Sequence, residues 1–162
     1  MKKKTLLIIL IILLFVLVGF FIVKNAFVTA NDEMPNAETA TAEEIKEYGE
    51  KHIDITGEVK KLTESEKELL ASVYKFGDIT QDGYITEKDA EAALDIYTKT
   101  QVSHKRDYQT VAEIYTGDVD ENGIVSVEDA QILLCYYVES VAKGPGIKDL
   151  KDYVANFSNR NN

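Results

Sequence analysis

The chain has one cysteine, no tryptophan, two histidines and two prolines in 162 residues, and little basic charge outside its first segment. The single Cys135 excludes an internal disulfide framework. It lies in an apolar helical run and reads as a small core or interface residue. No cysteine follows the N-terminal apolar run, so a lipoprotein-type attachment is not supported. His52 and His104 stand in unrelated contexts, and there is no His-Glu-x-x-His, no Gly-x-Ser-x-Gly and no phosphate-cradling glycine loop. Neither an enzyme nor a small-molecule substrate is expected. Four of the 18 basic residues (Lys2, Lys3, Lys4 and Lys24) precede Asn31 in a stretch without acids, so 14 basic residues face 28 acidic ones in the rest, a net −14. That balance repels nucleic acid and suits a water-facing, cation-binding module.

What is present begins with three lysines and an unbroken apolar run, Leu6 to Val23. As a helix it spans roughly 27 Å, enough for a bilayer's hydrocarbon core. The preceding lysines place the N-terminus in the cytoplasm and the remainder outside. Val28-Thr29-Ala30 offers small residues for a cleaved signal peptide. The apolar run is longer than the about 7–15 residues usual there, which favours a retained anchor; either way the remainder is exported. Four regions follow from this reading: 1–24, lysines and transmembrane helix; 25–62, an extracellular spacer with a short helix and an extended segment; 63–145, the principal domain; and 146–162, a last short helix and tail.

Thr41-Ala42-Glu43-Glu44 and Thr63-Glu64-Ser65-Glu66 have capping-box spacing and predict helices to about Glu50 and about Lys75. His52 to Val59 alternates like a strand, but no second strand-like run is evident to pair with it, so an extended segment laid on the domain by Ile53, Ile55, Val59 and Leu62 is expected. His104-Lys105-Arg106 reads as a solvated helix start leading to a helix with Tyr108, Val111, Ile114 and Tyr115 as its apolar positions. Lys143-Gly144-Pro145-Gly146 stops the preceding helix, and Ile147 to Phe157 predicts a last one.

Two stretches organise the rest. Gly77 to Asp89 and Gly117 to Asp129 match position for position at an offset of forty residues. Each places oxygen-bearing side chains at loop positions 1, 3, 5, 9 and 12, glycine at 6 and an apolar residue at 8. Alternate oxygens of this kind converge on one hard cation, glycine allows the turn, and the position-7 carbonyl adds a ligand. Loop one would use Asp78, Thr80, Asp82, the Tyr84 carbonyl, Thr86 and Asp89; loop two would use Asp118, Asp120, Asn122, the Ile124 carbonyl, Ser126 and Asp129. Two calcium ions are expected, bound more weakly in loop one because Thr80 is a poorer ligand than Asp120. The following helices repeat an apolar face, Ala90, Ala93, Leu94 and Tyr97 against Ala130, Leu133, Leu134 and Tyr137. The fold class is thus mostly α: a small calcium-binding domain of two EF-hand-like loop–helix repeats behind one N-terminal transmembrane helix.

Both loops end in Asp where the common EF-hand has Glu. With the Gly-Asp opening, Asp/Asn-Gly at the turn, Asp-Ala at the end and a Leu- and Tyr-containing helix, they resemble the type I dockerin domain. The resemblance covers about Glu66 to Gly144 and is strongest over Gly117 to Tyr137. It implies a module that folds around two calcium ions and binds a cohesin-type partner, typically bringing polysaccharide-degrading enzymes to a scaffold or cell surface. Carried over position by position, its recognition residues fall at Glu87, Lys88, Leu94 and Asp95, and at Val127, Glu128, Leu134 and Cys135. These sets differ in charge and polarity, which argues against two equivalent binding orientations. Thr80 and the long repeat offset depart from the family pattern.

The second helix is also apolar from Ile132 to Val138. Its additional stripe, Ile132, Cys135 and Tyr136, corresponds to Ala92, Asp95 and Ile96 on the first helix. Either it binds the partner, or it is covered by Ile53 to Leu62 or by the C-terminal helix.

Overall fold

Helix starts in this chain are written by threonine and serine. A computed structural model describes residues 34–57, 59 and 61–160. Thr41 caps α1 (Ala42–Gly49) and Thr63 caps α2 (Glu64–Ala71), each in the predicted capping box. The Thr41 and Thr63 amides donate to Glu44 and Glu66 at 2.8 and 2.7 Å, satisfying donors that the helix itself leaves orphaned. Thr86 and Ser126 precede α3 (Glu87–Tyr97) and α5 (Val127–Lys143), with the loops' terminal aspartates at the N3 position. Between them, Thr110 and Glu113 form a further capping box opening α4 (Val111–Gly117). Gly144, at φ 59°, ends α5, and Leu150–Arg160 forms α6. Residues Pro35–Asn162 make one unit, mostly helical as expected.

The extended segment does find a partner. His52–Asp54 (β1) pairs antiparallel with Tyr108–Thr110 (β2), in the register His52–Thr110, Ile53–Gln109 and Asp54–Tyr108. Hydrogen bonds from Val111 N to Lys51 O (2.9 Å) and from Ile55 N to Asp107 O (3.0 Å) lengthen the ladder. Its second strand carries a buried polar residue, Gln109, where an alternating pattern would have an apolar one, which is why the sequence concealed it. Tyr108 accordingly belongs to a strand, not to the helix assigned to it. His104-Lys105-Arg106 is likewise a turn and not a helix start: His104 has φ 47°, and Arg106 donates to Glu113 at 2.8 Å. Helix α2 ends at Ala71, short of Lys75.

The repeats meet through α3 and α5, the principal helix–helix contact. Their core holds Ala90, Ala93 and Ile96 with Ala130, Ile132 and Leu133, completed by Val119, Val125, Leu150 and Tyr153. The buried face is rotated from the predicted one. Leu94 and Leu134 are each 46% exposed, while Ile96 and its counterpart Tyr136 turn inward. Small Ala90, Ala93 and Ala130 let the helices approach, and the volume at their centre is filled from the i+3 row instead of the i+4 row.

Helix α6 covers the second helix's additional stripe. Tyr153 meets Tyr136 edge to face with ring centroids 5.3 Å apart, and Val154, Phe157 and Cys135 pack on the same core. Ile132, expected as a partner contact, is buried and corrected to the core; Cys135 and Tyr136 are partly buried there. Among the described residues no helix is long and apolar enough to cross a membrane, and Leu6 to Val23, read as the anchor, lies outside them.

Candidate metal centre

Each loop is built from hydrogen bonds that its own carboxylates accept. Asp78 Oδ1 and Oδ2 receive the Asp82 and Gly83 amides at 3.1 and 2.8 Å. Forty residues on, Asp118 receives the Asn122 and Gly123 amides at 2.9 and 2.7 Å. The position-5 side chains turn back on position 7: Tyr84 N donates to Asp82 at 2.9 Å and Ile124 N to Asn122 at 3.1 Å. Both loops place position 4 in left-handed backbone (Gln81 φ 56°, Glu121 φ 58°) and then glycine at positive φ (Gly83 91°, Gly123 105°). The repeat found in the sequence is therefore a repeat of conformation.

Position 12 closes each ring. Asp129 Oδ1 accepts from the Val119 and Asp120 amides (2.8 and 3.1 Å), and Oδ2 from the Ser126 amide and hydroxyl (both 2.8 Å). Asp89 does the same with Thr80 N (3.0 Å) and Thr86 N (2.8 Å). Both aspartates are fully buried, so one carboxylate ties the loop's entry to the first turn of the following helix.

The loops differ at position 3. Asp118, Asp120 and Asp129 bring carboxylate oxygens within 4.8 Å of one another, a cluster that can hold a metal ion. All three donors are hard oxygens, which fits a hard divalent cation better than a soft one. In loop one Thr80 replaces the central acid, and its hydroxyl donates to Asp89 at 3.0 Å and Asp78 at 3.5 Å.

Gathering acids has an electrostatic cost. Burial, then the neighbouring Asp129, pushes the Asp118 carboxyl up to about 7, despite the Gly123 and Asn122 amides that oppose the shift. Burial likewise raises Asp129 to about 6. Like charges held close and out of water favour a shared proton or a shared cation.

The remaining predicted residues divide by helix. On α3, Glu87 and Lys88 are exposed, Glu87 hydrogen-bonds Tyr137, and Asp95 pairs with Lys99. On α5, Val127, Leu134, Val138 and Val141 are 43–69% exposed. Their spacing puts them on one face, roughly 21 Å long, with Glu128 exposed beside its start. Val138 and Val141 were missed because apolar periodicity alone does not say which face points out.

Three features around loop two were also missed. Gln109, fully buried in β2, accepts from Val125 N (2.9 Å) and donates to Val125 O (3.2 Å). Lys67 pairs with Glu121 at 2.8 Å and with Glu64 at 3.0 Å. Val59 lies against Gly123. Apart from the local Glu64–Lys67 pair, these contacts join residues far apart in the chain and leave no local pattern. Neither a scan of protein-family models nor a search of curated proteins finds a match for this chain.

Proposed function

We propose that this chain is a non-catalytic, calcium-dependent protein-binding module of dockerin type, held at the outer cell surface by its N-terminal apolar segment. The observation that carries the reading is the duplicated loop: carboxylates at positions 1 and 12 accept equivalent backbone amides in both repeats. Two calcium ions would be held through the ligand sets read from the sequence, three aspartates in each, with Asp118, Asp120 and Asp129 the set whose carboxylates lie within 4.8 Å of one another. Bound calcium would supply the positive charge that the buried Asp118 and Asp129 carboxylates call for. Asp89 and Asp129 then hold the start of α3 and α5 against their loops. Calcium acts here as a folding ligand, with dissociation constants on the order of 10⁻⁴–10⁻³ M or tighter, as in other extracellular modules.

A cohesin-type partner would dock on the outward face of α5. That face offers Val127, Leu134, Val138 and Val141, where the first repeat has Glu87 and Leu94 on α3 and Thr98 and Gln101 in the turn beyond it. The unequal faces favour a single binding orientation. Linkage to a polysaccharide-degrading assembly follows from the resemblance in the loops.

The test is retention of the full chain, purified in detergent, on a panel of immobilised cohesin-type domains. Retention with calcium and release by chelator support the reading. Retention of a different protein or a wall component in place of a cohesin overturns the choice of partner. Failure of calorimetry to detect two calcium ions overturns the cation assignment.

A further inference from the structure

At its position-6 glycine the second loop is packed by side chains of the preceding chain, whereas the first receives there a bond from the exposed Lys75 ammonium to the Gly83 carbonyl, 2.7 Å. A Cβ placed on Gly123 would lie 2.4 Å from Val59 Cγ1 and 3.3 Å from Lys61 Cγ, whereas nothing lies within 4 Å of one placed on Gly83. The same stretch of chain supplies Lys67, whose ammonium reaches Glu121 at position 4 of loop two. Gln109 acts from the other side. Its amide bonds both polar groups of the Val125 backbone, taking the place that a neighbouring strand would occupy. Its own backbone pairs with Ile53 in β1. Forty residues before Gln109 stands Leu69, whose side chain can make no such bonds.

From these contacts we infer that Val59, Lys61, Lys67 and Gln109 form a clamp that holds loop two in its cation-binding shape, making it the tighter site and the first to fill. Gln109 is its positioning residue. The inference rests on the reading of loop two as a calcium site. A loop already ordered by protein contacts loses little conformational freedom when the ion arrives, and an unclamped loop binds more weakly by the fraction of time it spends in the competent shape. This contribution is separate from the ligand difference between Thr80 and Asp120, because it acts on the backbone of position 8 and not on a ligating oxygen. It also gives the segment ahead of the first loop a purpose: strand β1 and the chain that follows it are the frame of the distant second site.

The experiment titrates calcium alone into the full chain in detergent, with the backbone amide signals of Gly83 and Gly123 reporting each loop. In the wild type, Gly123 responds at lower calcium than Gly83. Gln109→Met keeps the side chain's length but removes both hydrogen bonds. It is expected to weaken loop two about tenfold, with loop one moving less than about twofold, the split that a displaced conformational equilibrium produces. Lys67→Met, at a site of partial exposure, serves if Gln109→Met does not fold, and is expected to weaken loop two about threefold. Unchanged loop-two affinity, or equal weakening of both loops, overturns the clamp. A wild-type Gly123 signal that does not respond to calcium at all instead removes the cation assignment beneath it.

Discussion

Thr80 donates its hydroxyl to Asp89 at 3.0 Å, in the place where Asp120 adds a third carboxylate beside Asp129. A hydroxyl in that position offers a neutral oxygen already turned toward its neighbour. Replacing it with Thr80→Asp gives loop one the position-3 carboxylate of loop two, as a fourth acid beside Asp78, Asp82 and Asp89. Calorimetry should show loop-one calcium affinity rising about tenfold, the size of one well-placed charge–ion contact. Loop two should be unaffected. No gain in loop one would mean that position 3 does not face the ion.

The raised carboxyls of Asp118 and Asp129 set a pH dependence with a definite sign. Their folded values, about 7 and about 6, lie above those of an unfolded aspartate, so between pH 4 and 7 the folded state holds more protons than the unfolded state. Calcium-free stability should therefore be greatest at acid pH and fall as pH rises through that window. Calcium should reverse the trend, because it binds the deprotonated site. Thermal melts at pH 5 and pH 7, with chelator and with calcium, measure both slopes. A calcium-free domain that grows more stable toward pH 7 would refute the assignment of these groups.

Asp129 accepts four hydrogen bonds from the backbone and side chains of its own loop, and it starts α5. Asp129→Ala should abolish the loop-two calcium response and lower stability by about 2–4 kcal/mol, mainly through buried amides left without an acceptor. Chemical denaturation in calcium checks the second figure. An intact loop-two response would show that position 12 is dispensable for the ion.

Leu134 and Tyr136, two residues apart on α5, should separate docking from folding. Leu134→Asp or Val138→Asp changes an exposed side chain, and stability should stay within about 0.5 kcal/mol while calcium-dependent partner retention is lost. Tyr136→Ala removes the ring packed on Tyr153 and should destabilise the domain by about 3 kcal/mol. Leu94→Asp on the repeat's other helix should leave retention intact. Loss of binding in Leu94→Asp but not in Leu134→Asp would move the docking face to α3.

Much of this architecture was legible along the chain because its causes are local. The capping boxes at Thr41 and Thr63, the glycine turns at Gly83 and Gly123 and the alternating oxygens all act within a dozen residues. Their spacing alone predicts a helix start or a loop that points carboxylates inward. The forty-residue repeat implied two like loops, and the structure gives them one conformation, down to the left-handed residues Gln81 and Glu121 that the sequence reading had not singled out.

Tertiary structure decided what spacing cannot encode. Which side of α5 faces out depended on α6, whose Tyr153, backed by Phe157, packs on Tyr136 while Leu134 is left to solvent. Whether His52–Asp54 had a partner depended on Gln109, a polar residue that only burial against Val125 makes sense of. The closer packing of the second loop came from Val59, Lys67 and Gln109, which reach it across up to 64 positions of chain. The sequence by itself determined the two loops, their ligand order and the helices they start. The fold determined which loop is held in shape and which face is left bare, because packing couples residues that no local period relates.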